Sequence, residues 1–202
     1  MKRDIIVIGA SEGGLEALSK LTSMLPADLA ASILVVVHTS PKSLMLFPKI
    51  VGQRSPLCMS YAEQGERPAH GHLYFAPPDN HLTVAAPGFM MLNKGPKEHY
   101  SRPAANVLFR SAAATYGSRV LGIILTGGDS DGTEGFWAIK RKGGLCIVQE
   151  PMEARAPSMP TTAIVHDDPD YRVGLDDMAD LVMKLIAGTE AAPAFRPAST
   201  PV

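Results

Sequence analysis

The 202-residue sequence has only two cysteines, little net charge and no long apolar run. Cys58 and Cys146 lie in apolar contexts without the spacing of a metal site, so we expect buried free thiols, as in a reducing compartment. A net charge of -1 without a basic block gives no indication of nucleic-acid binding. No apolar run approaches the ~20 residues that span a bilayer, and Asp4 and Glu12 interrupt the apolar core of a would-be signal peptide. We therefore expect a cytoplasmic protein that does not insert into membranes.

The apolar residues that are present, 46% of the chain, are enough to bury a sizeable core. Short β-branched runs alternate with stretches of helical periodicity, which predicts an α/β fold with a parallel sheet covered on both faces. The predicted strands cover residues 5–8, 33–37, 57–61, 120–125 and 145–148, with strands or hairpins at 73–76, 81–84 and 89–92. The predicted helices cover residues 14–25, 44–51, 104–116 and 132–141, and residues 161–165 and 176–186 complete the alternation.

Three polar side chains stand where predicted strands end. Ser11 follows the first strand within Gly9-Ala10-Ser11-Glu12-Gly13, His38 closes the second, and Asp131 follows the strand at residues 120–125. Because the carboxyl ends of parallel strands converge on one crevice, these side chains can meet there. A hydroxyl, an imidazole and a carboxylate are the nucleophile, base and orienting acid of a serine hydrolase. The sequence therefore predicts a hydrolase with these three residues as its site.

Ser11 has two other interpretations. Its segment matches the G-x-S-x-G pattern, in which a sharp strand-to-helix turn projects the hydroxyl near helix-start amides that can stabilise an oxyanion. Serine is also a favoured N-cap, and a glycine-rich turn of this kind can bind a nucleotide phosphate. The nucleotide interpretation is weakened because no tyrosine is followed four residues later by lysine, as in short-chain dehydrogenases, and no Gly-Lys-Ser/Thr occurs.

His38 and Asp131 also have structural interpretations. A lone histidine ending an apolar strand is often structural, and an aspartate just before a helix is a frequent N-cap. The hydrolase interpretation gains because the strand of His38 is expected to neighbour the strand of Ser11, and a carboxylate there would hold the imidazole in one tautomer. His70 and His72 lack a third ligand at a suitable spacing, so we predict no metal site.

Several separated motifs resemble the catalytic domain of the chemotaxis receptor methylesterases, the protein-glutamate methylesterase (CheB) family. The likeness extends over about residues 4–187 and follows the family's order. The motifs are Ile8-Gly9-Ala10-Ser11 with Gly13-Gly14, Val36-Val37-His38, Gly65-Glu66-Arg67 with residues 74–81, Arg102-Pro103 with Val107-Leu108-Phe109, and Ile124-Leu125-Thr126-Gly127 with Asp131-Gly132.

The resemblance implies a three-layer α/β/α sandwich with a mainly parallel, doubly wound sheet and an antiparallel hairpin near the active site. It places the family's triad on Ser11, His38 and Asp131. The implied reaction is hydrolysis of glutamyl methyl esters on chemoreceptors with release of methanol, and glutamine deamidation in some members, without a cofactor. Residues 1–188 would form this catalytic domain, followed by a disordered tail at 189–202.

The receiver domain that is usually fused upstream in this family is missing from the sequence. We therefore expect no control by phosphorylation in cis, which leaves room for a regulatory partner in trans.

The sequence departs from the family pattern around the predicted site. Glu12 stands where the family usually has threonine, and Asp129 stands where it usually has glycine. Negative charge beside a developing oxyanion is unfavourable unless it is paired or turned away, so these residues predict weakened activity or a changed substrate. The backbone amides of Glu12 and Gly128 are the predicted oxyanion donors. Arg102 is predicted to bind or orient the carboxyl region of the substrate.

The leading hypothesis is a serine carboxylesterase of the protein-glutamate methylesterase type, whose partner is a methylated chemoreceptor or another methylated protein. One alternative is a catalytically weakened interaction module of the same fold. Another is an esterase with a different methyl-ester substrate. Labelling of Ser11 by a serine-directed covalent probe would distinguish an enzyme from an interaction module.

Overall fold

The structure, a computed structural model, describes residues 2–190 as a parallel sheet between two layers of helices. The strands are β1 (Ile5–Ala10), β2 (Ser32–Val37), β3 (Cys58–Tyr61), β4 (His72–Phe75), β5 (His81–Ala85), β6 (Phe89–Asn93), β7 (Val120–Ile124), β8 (Leu145–Gln149) and β9 (Tyr171–Val173). The helices are α1 (Gly14–Ser23), α2 (Phe47–Val51), α3 (Ala105–Tyr116), α4 (Thr133–Arg141), α5 (Ser158–Asp167) and α6 (Leu175–Ala187). Residues 191–202 of the predicted tail lie outside the described residues.

The main sheet has the strand order β3-β4-β2-β1-β7-β8-β9, and every neighbouring pair is parallel. The strands β1, β2, β7 and β8 are buried at every residue. Continuous apolar runs of this kind, without polar alternation, are typical of strands that are covered on both faces. The sequence-based prediction of a mainly parallel sheet between helices is confirmed.

Alternate residues of the central strands supply two separate cores. Ile6 and Ile8 of β1 pack in a cluster with side chains of α1 and α6, whereas Ile5 and Val7 pack in a cluster with α3, α4 and α5. Each fully buried side chain of this size contributes about 1.5–3 kcal/mol to folding. Since the helices after β1 and β7 cover opposite faces, a crevice opens at the carboxyl ends of these two strands.

The strands β5 and β6 form a separate antiparallel hairpin, as predicted. The hairpin packs on α3 through Leu82, Val84 and Met90. The amide of Val84 donates to Ser111 Oγ, and Thr115 Oγ1 donates to the Val84 carbonyl. These contacts fix the hairpin on the helix whose first residues border the crevice.

Two features of the fold differ from the sequence-based expectation. Cys58 is exposed rather than buried, because β3 is an edge strand of the sheet, while Cys146 is buried in β8 and both thiols are free. The strand β9 was not predicted, because its three residues, Tyr171–Val173, are too few to show a period of two.

Asp167, the last residue of α5, is a buried carboxylate whose charge is poorly compensated. Asp167 is 5% exposed, and its Oδ2 accepts no hydrogen bond within the described part of the chain. Burial, only partly offset by Lys140, raises the pKa of Asp167 to about 7. Because an unfolded aspartate ionises near ~3.9, the folded state loses stability as the pH rises from about 4 to 7, and the loss is constant above that range.

Asp167→Asn is therefore expected to raise the free energy of unfolding by about 1–3 kcal/mol at about pH 8, and by about 0.5 kcal/mol or less at about pH 4. Urea unfolding at the two pH values measures the difference. Asp28→Asn, at an exposed position before β2, serves as the control and should change stability by less than about 0.5 kcal/mol. An equal gain at both pH values would contradict the assignment.

Candidate active site

Ser11 and His38 lie side by side at the carboxyl ends of β1 and β2. The strand register pairs Ala10 with Val37. Ser11 and His38, which follow these two residues, are therefore neighbours. The His38 amide donates to the Ala10 carbonyl, and the Ser11 amide donates to the Thr126 carbonyl at the end of β7. Both side chains line a cleft of about 310 Å³.

Ser11 does not cap α1. The N-cap of this helix is Gly13, in the left-handed conformation with φ 77°, and it makes no side-chain capping bond. The left-handed residue lets the chain turn sharply between β1 and α1, which leaves the Ser11 side chain at the cleft. Among the hydrogen bonds of residues 2–190, none joins Ser11 Oγ to His38, whose two ring nitrogens both contact carboxylates.

Asp131 is a fully buried partner of His38. Its Oδ2 lies 2.8 Å from His38 Nε2 and also accepts from the Ala105 amide, while Oδ1 accepts from the Asn106 amide at 2.9 Å. The cap of α4 is Gly132, so the carboxylate serves the N-terminus of α3 instead of the helix that follows it in sequence. The first amides and the dipole of α3 favour a negative charge there.

Asp129 contacts the other ring nitrogen of His38. Its Oδ2 lies 2.9 Å from His38 Nδ1, and its Oδ1 accepts from the Asp131 amide at 2.8 Å. Burial lowers the pKa of His38, but the hydrogen bonds to Asp129 and Asp131 outweigh it and raise the pKa from 6.5 to about 9. Burial raises the pKa of Asp129, but His38 and the Asp131 amide hold it below its usual value.

A buried network joins the three loops of the site. Thr126 Oγ1 donates to the Glu12 carbonyl and accepts from the Ala156 amide, and the Thr126 amide donates to Gln149 Oε1. Gly127 leaves no room for a side chain, since a Cβ there would lie 2.9 Å from the Ser11 Cβ and 2.0 Å from the Met159 Sδ. The Ser11 loop is thereby packed directly against the loop that carries Asp129 and Asp131.

The two predicted oxyanion donors lie in these loops. Within residues 2–190, the backbone amides of Glu12 and Gly128 have no acceptor. The side chain of Glu12, expected beside the oxyanion, is 65% exposed and lies 3.9 Å from Arg155 Nε. Its charge is therefore screened by solvent and by a cation.

Arg102 lies outside the cleft lining. Its guanidinium donates to Asp79 Oδ1 and to the carbonyls of Lys94 and Gly95, at the end of the hairpin. Three residues later, the Ala105 amide binds Asp131. The structure thus places Arg102 where it connects the hairpin to the start of α3, and its substrate-binding role stays a prediction.

Some residues of the site had no assigned role in the sequence-based prediction. Asn106 is fully buried, and its Oδ1 accepts from the amides of Gly132 and Gly135, which fixes the loop after Asp131. Arg155 and Phe47 line the cleft with Ser11. Nothing in the sequence indicated Arg155, which comes from a distant loop.

Within residues 2–190, one group of side chains is close enough to hold a metal ion. It consists of Glu98, His99 and Asp131, whose oxygen and nitrogen ligand atoms lie within 4.8 Å of one another. Both oxygens of Asp131 already bind His38 and the amides of α3. Glu98 forms a two-point ion pair with Arg110, which lowers the pKa of the Glu98 carboxyl. The carboxylates of Glu98 and Asp131 are therefore already engaged by other groups, and we assign no metal to this group.

The fold and the site together define a doubly wound α/β protein whose candidate functional residues lie at strand ends near the switch point of the sheet. Comparison with known proteins makes the class specific. The CheB methylesterase family matches residues 6–182, and the chain belongs to this family.

Relatives and a solved structure agree with this assignment. The chain is 36% identical to a protein-glutamate methylesterase/protein-glutamine glutaminase 2 of Methanosarcina mazei, over 91% of this chain and 52% of the relative. It is 34% identical to a putative protein-glutamate methylesterase/protein-glutamine glutaminase of Leptospira interrogans, over 92% of this chain and 96% of the relative. The crystal structure of the Thermotoga maritima CheB methylesterase catalytic domain superposes with a TM-score of 0.88 at 31% identity, covering 92% of this chain and all of that domain.

The chain thus spans about half the length of the Methanosarcina relative and nearly all of the Leptospira one. Within residues 2–190, none of the helices combines the length and the apolarity that crossing a bilayer requires.

Proposed function

We propose that this chain is a protein-glutamate methylesterase that hydrolyses glutamyl methyl esters of a methylated chemoreceptor through Ser11, His38 and Asp131. The observation that carries the proposal is the shared cleft of Ser11 and His38, with His38 held by a buried carboxylate, in a member of the CheB methylesterase family. A serine beside an imidazole that a carboxylate orients is the arrangement needed for acyl transfer.

In this mechanism Ser11 Oγ attacks the ester carbonyl while His38 accepts the hydroxyl proton at the ring nitrogen that Asp131 does not hold. The tetrahedral intermediate carries a negative oxygen, which the amides of Glu12 and Gly128 stabilise. The C–O bond to the methoxy group then breaks as His38 returns the proton, giving methanol and an acyl-enzyme. Water attacks the acyl-enzyme by the same proton transfers and restores Ser11 and a free glutamate.

The names of the relatives also include a glutaminase activity. Hydrolysis of a glutamine side chain passes through the same acyl-enzyme, with ammonia leaving in place of methanol. We propose it as a second reaction of the same site.

The proposal is tested with receptor fragments that carry methylated glutamates. Incubation with the protein should release methanol, and mass spectrometry should show the loss of methyl groups from the glutamate residues. A fluorophosphonate probe should label Ser11. Absence of both methanol release and labelling, at every pH at which the protein stays folded, would overturn the proposal.

A second candidate, a binding module with little turnover, is favoured by one observation. Asp129, and not Ser11, contacts Nδ1 of His38. A module of this kind would bind the methylated fragment without releasing methanol and without reacting with the probe.

A further inference from the structure

The imidazole of His38 lies between two carboxylates. Asp131 Oδ2 is 2.8 Å from Nε2, and Asp129 Oδ2 is 2.9 Å from Nδ1. An ionised carboxylate only accepts hydrogen bonds, so a ring that satisfies both partners carries a proton on each nitrogen. A doubly protonated ring is a cation and has no lone pair to accept the proton of Ser11.

The two carboxylates are held very differently. Asp131 is fully buried and also binds the first amides of α3, so it is fixed. Asp129 is 35% exposed, and its other oxygen accepts a single bond, from the amide of Asp131. Gly128 precedes it, with open space around its α-carbon. Asp129 is therefore the partner that can leave His38 without breaking the surrounding core.

We propose that Asp129 is a positioning residue that holds His38 in its charged form by occupying Nδ1, the ring nitrogen that Ser11 needs. The proposal rests on the proposed function for its effect on catalysis. When Nδ1 loses its proton, its lone pair faces the carboxylate of Asp129. The repulsion between these two acceptors turns Asp129 toward solvent. Ser11 then becomes the donor to Nδ1, and the triad is assembled.

The direction of the pH effect follows from this exchange. With the pKa of His38 raised to about 9, the neutral ring is a minor species at neutral pH, so esterase activity should rise with pH up to about 9. Other charged groups face the pair from the adjoining elements and remain when Asp129 is replaced. They are Glu12, Glu16, Glu98, His99, Arg110 and Arg155.

Asp129→Asn removes the charge and keeps an oxygen that can accept from the Asp131 amide. In NMR titrations of the whole protein, the midpoint of the His38 ring should fall by about one unit or more. The acid limb of the pH profile of kcat/KM should shift to lower pH by the same amount. As a result, kcat/KM at about pH 7 should rise about tenfold. Asp129→Ser, with a shorter neutral side chain, should give the same shifts and serves if the asparagine variant folds poorly.

Glu134→Gln is the matched control. Glu134 is an exposed acid near the start of α4 that faces Arg110 at 3.6 Å, and its replacement should leave the His38 midpoint unchanged. Because the NMR titration does not depend on turnover, the two proposals can fail separately. A lowered midpoint without methanol release from any variant would reject the esterase and support the coupling of Asp129 to His38. An unchanged midpoint in both Asp129 variants would overturn the role of Asp129.

Discussion

Replacing Ser11 with alanine is expected to lower methanol release from methylated receptor fragments by about 10,000-fold or more, because the acyl-enzyme can no longer form. The substitution removes one oxygen at the cleft, while the Ser11 amide can still donate to the Thr126 carbonyl. Folding should therefore be unaffected, and the free energy of unfolding should stay within about 0.5 kcal/mol of the parent protein. Binding of the methylated fragment should persist, since the amides of Glu12 and Gly128 are unchanged.

Ser40→Ala provides the control for this experiment. Ser40 is an exposed serine in the loop after His38, where its hydroxyl accepts from the Lys42 amide. Its replacement should leave methanol release and probe labelling at the parent level. Undiminished methanol release by Ser11→Ala, with the Ser40 variant behaving normally, would refute the nucleophile assignment.

Asp131→Asn is expected to have the second largest effect, on both activity and stability. An asparagine side chain places an amide where one oxygen now accepts, so it cannot serve His38 and the amides of Ala105 and Asn106 together. We expect a loss of about 1,000- to 10,000-fold in kcat, as for a triad that has lost its orienting acid. The free energy of unfolding should fall by about 2–4 kcal/mol, because a buried network loses its acceptor.

The pH dependence of stability separates this role from simple packing. The pKa of His38 is about 9 in the folded protein and about 6.5 in the unfolded chain. The charged ring therefore contributes stability that is complete below about pH 6.5 and is lost as the pH rises through about 9. Asp131→Asn should weaken this decline, which urea unfolding across the range measures.

Asp180→Asn, on the exposed side of α6, is the control for the stability measurements and should change them by less than about 0.5 kcal/mol. Asp129→Asn provides a second comparison. It lowers the pKa of the same histidine but is expected to increase activity near neutral pH, whereas Asp131→Asn should decrease it at every pH. Equal effects of the two substitutions would contradict the different roles assigned to the two carboxylates.

The difference between the two aspartates originates in the chain around them. Asp131 is enclosed by the first turn of α3, and its ionised form is stabilised there by two amides. Asp129 stands after Gly128 at the edge of the cleft and has the imidazole and one amide as partners. The loop between β7 and α4 thus supplies both the acid that orients His38 and the acid that competes for it.

Much of the fold could be predicted from local sequence. The apolar runs at β1, β2, β7 and β8 contain no charged residue, so they identify buried strands without help from the rest of the chain. Of the two edge strands, β3 matches the strand predicted at residues 57–61, whereas β9 is only three residues long and was missed. The position of β9 follows from its pairing with β8, which no local pattern reports.

The sequence by itself determined that a serine, a histidine and an aspartate follow three strands of one parallel sheet, because a strand that ends in a polar turn leaves a local pattern. It also marked Asp129 as an unusual acid near Asp131. Only the tertiary structure decided what these carboxylates contact, that Asp131 caps α3 instead of α4, and that Asp129 instead of Ser11 meets Nδ1 of His38. The physical reason is that hydrogen bonds and pKa shifts depend on distances of about 3 Å between loops that lie far apart along the chain, and packing alone sets those distances.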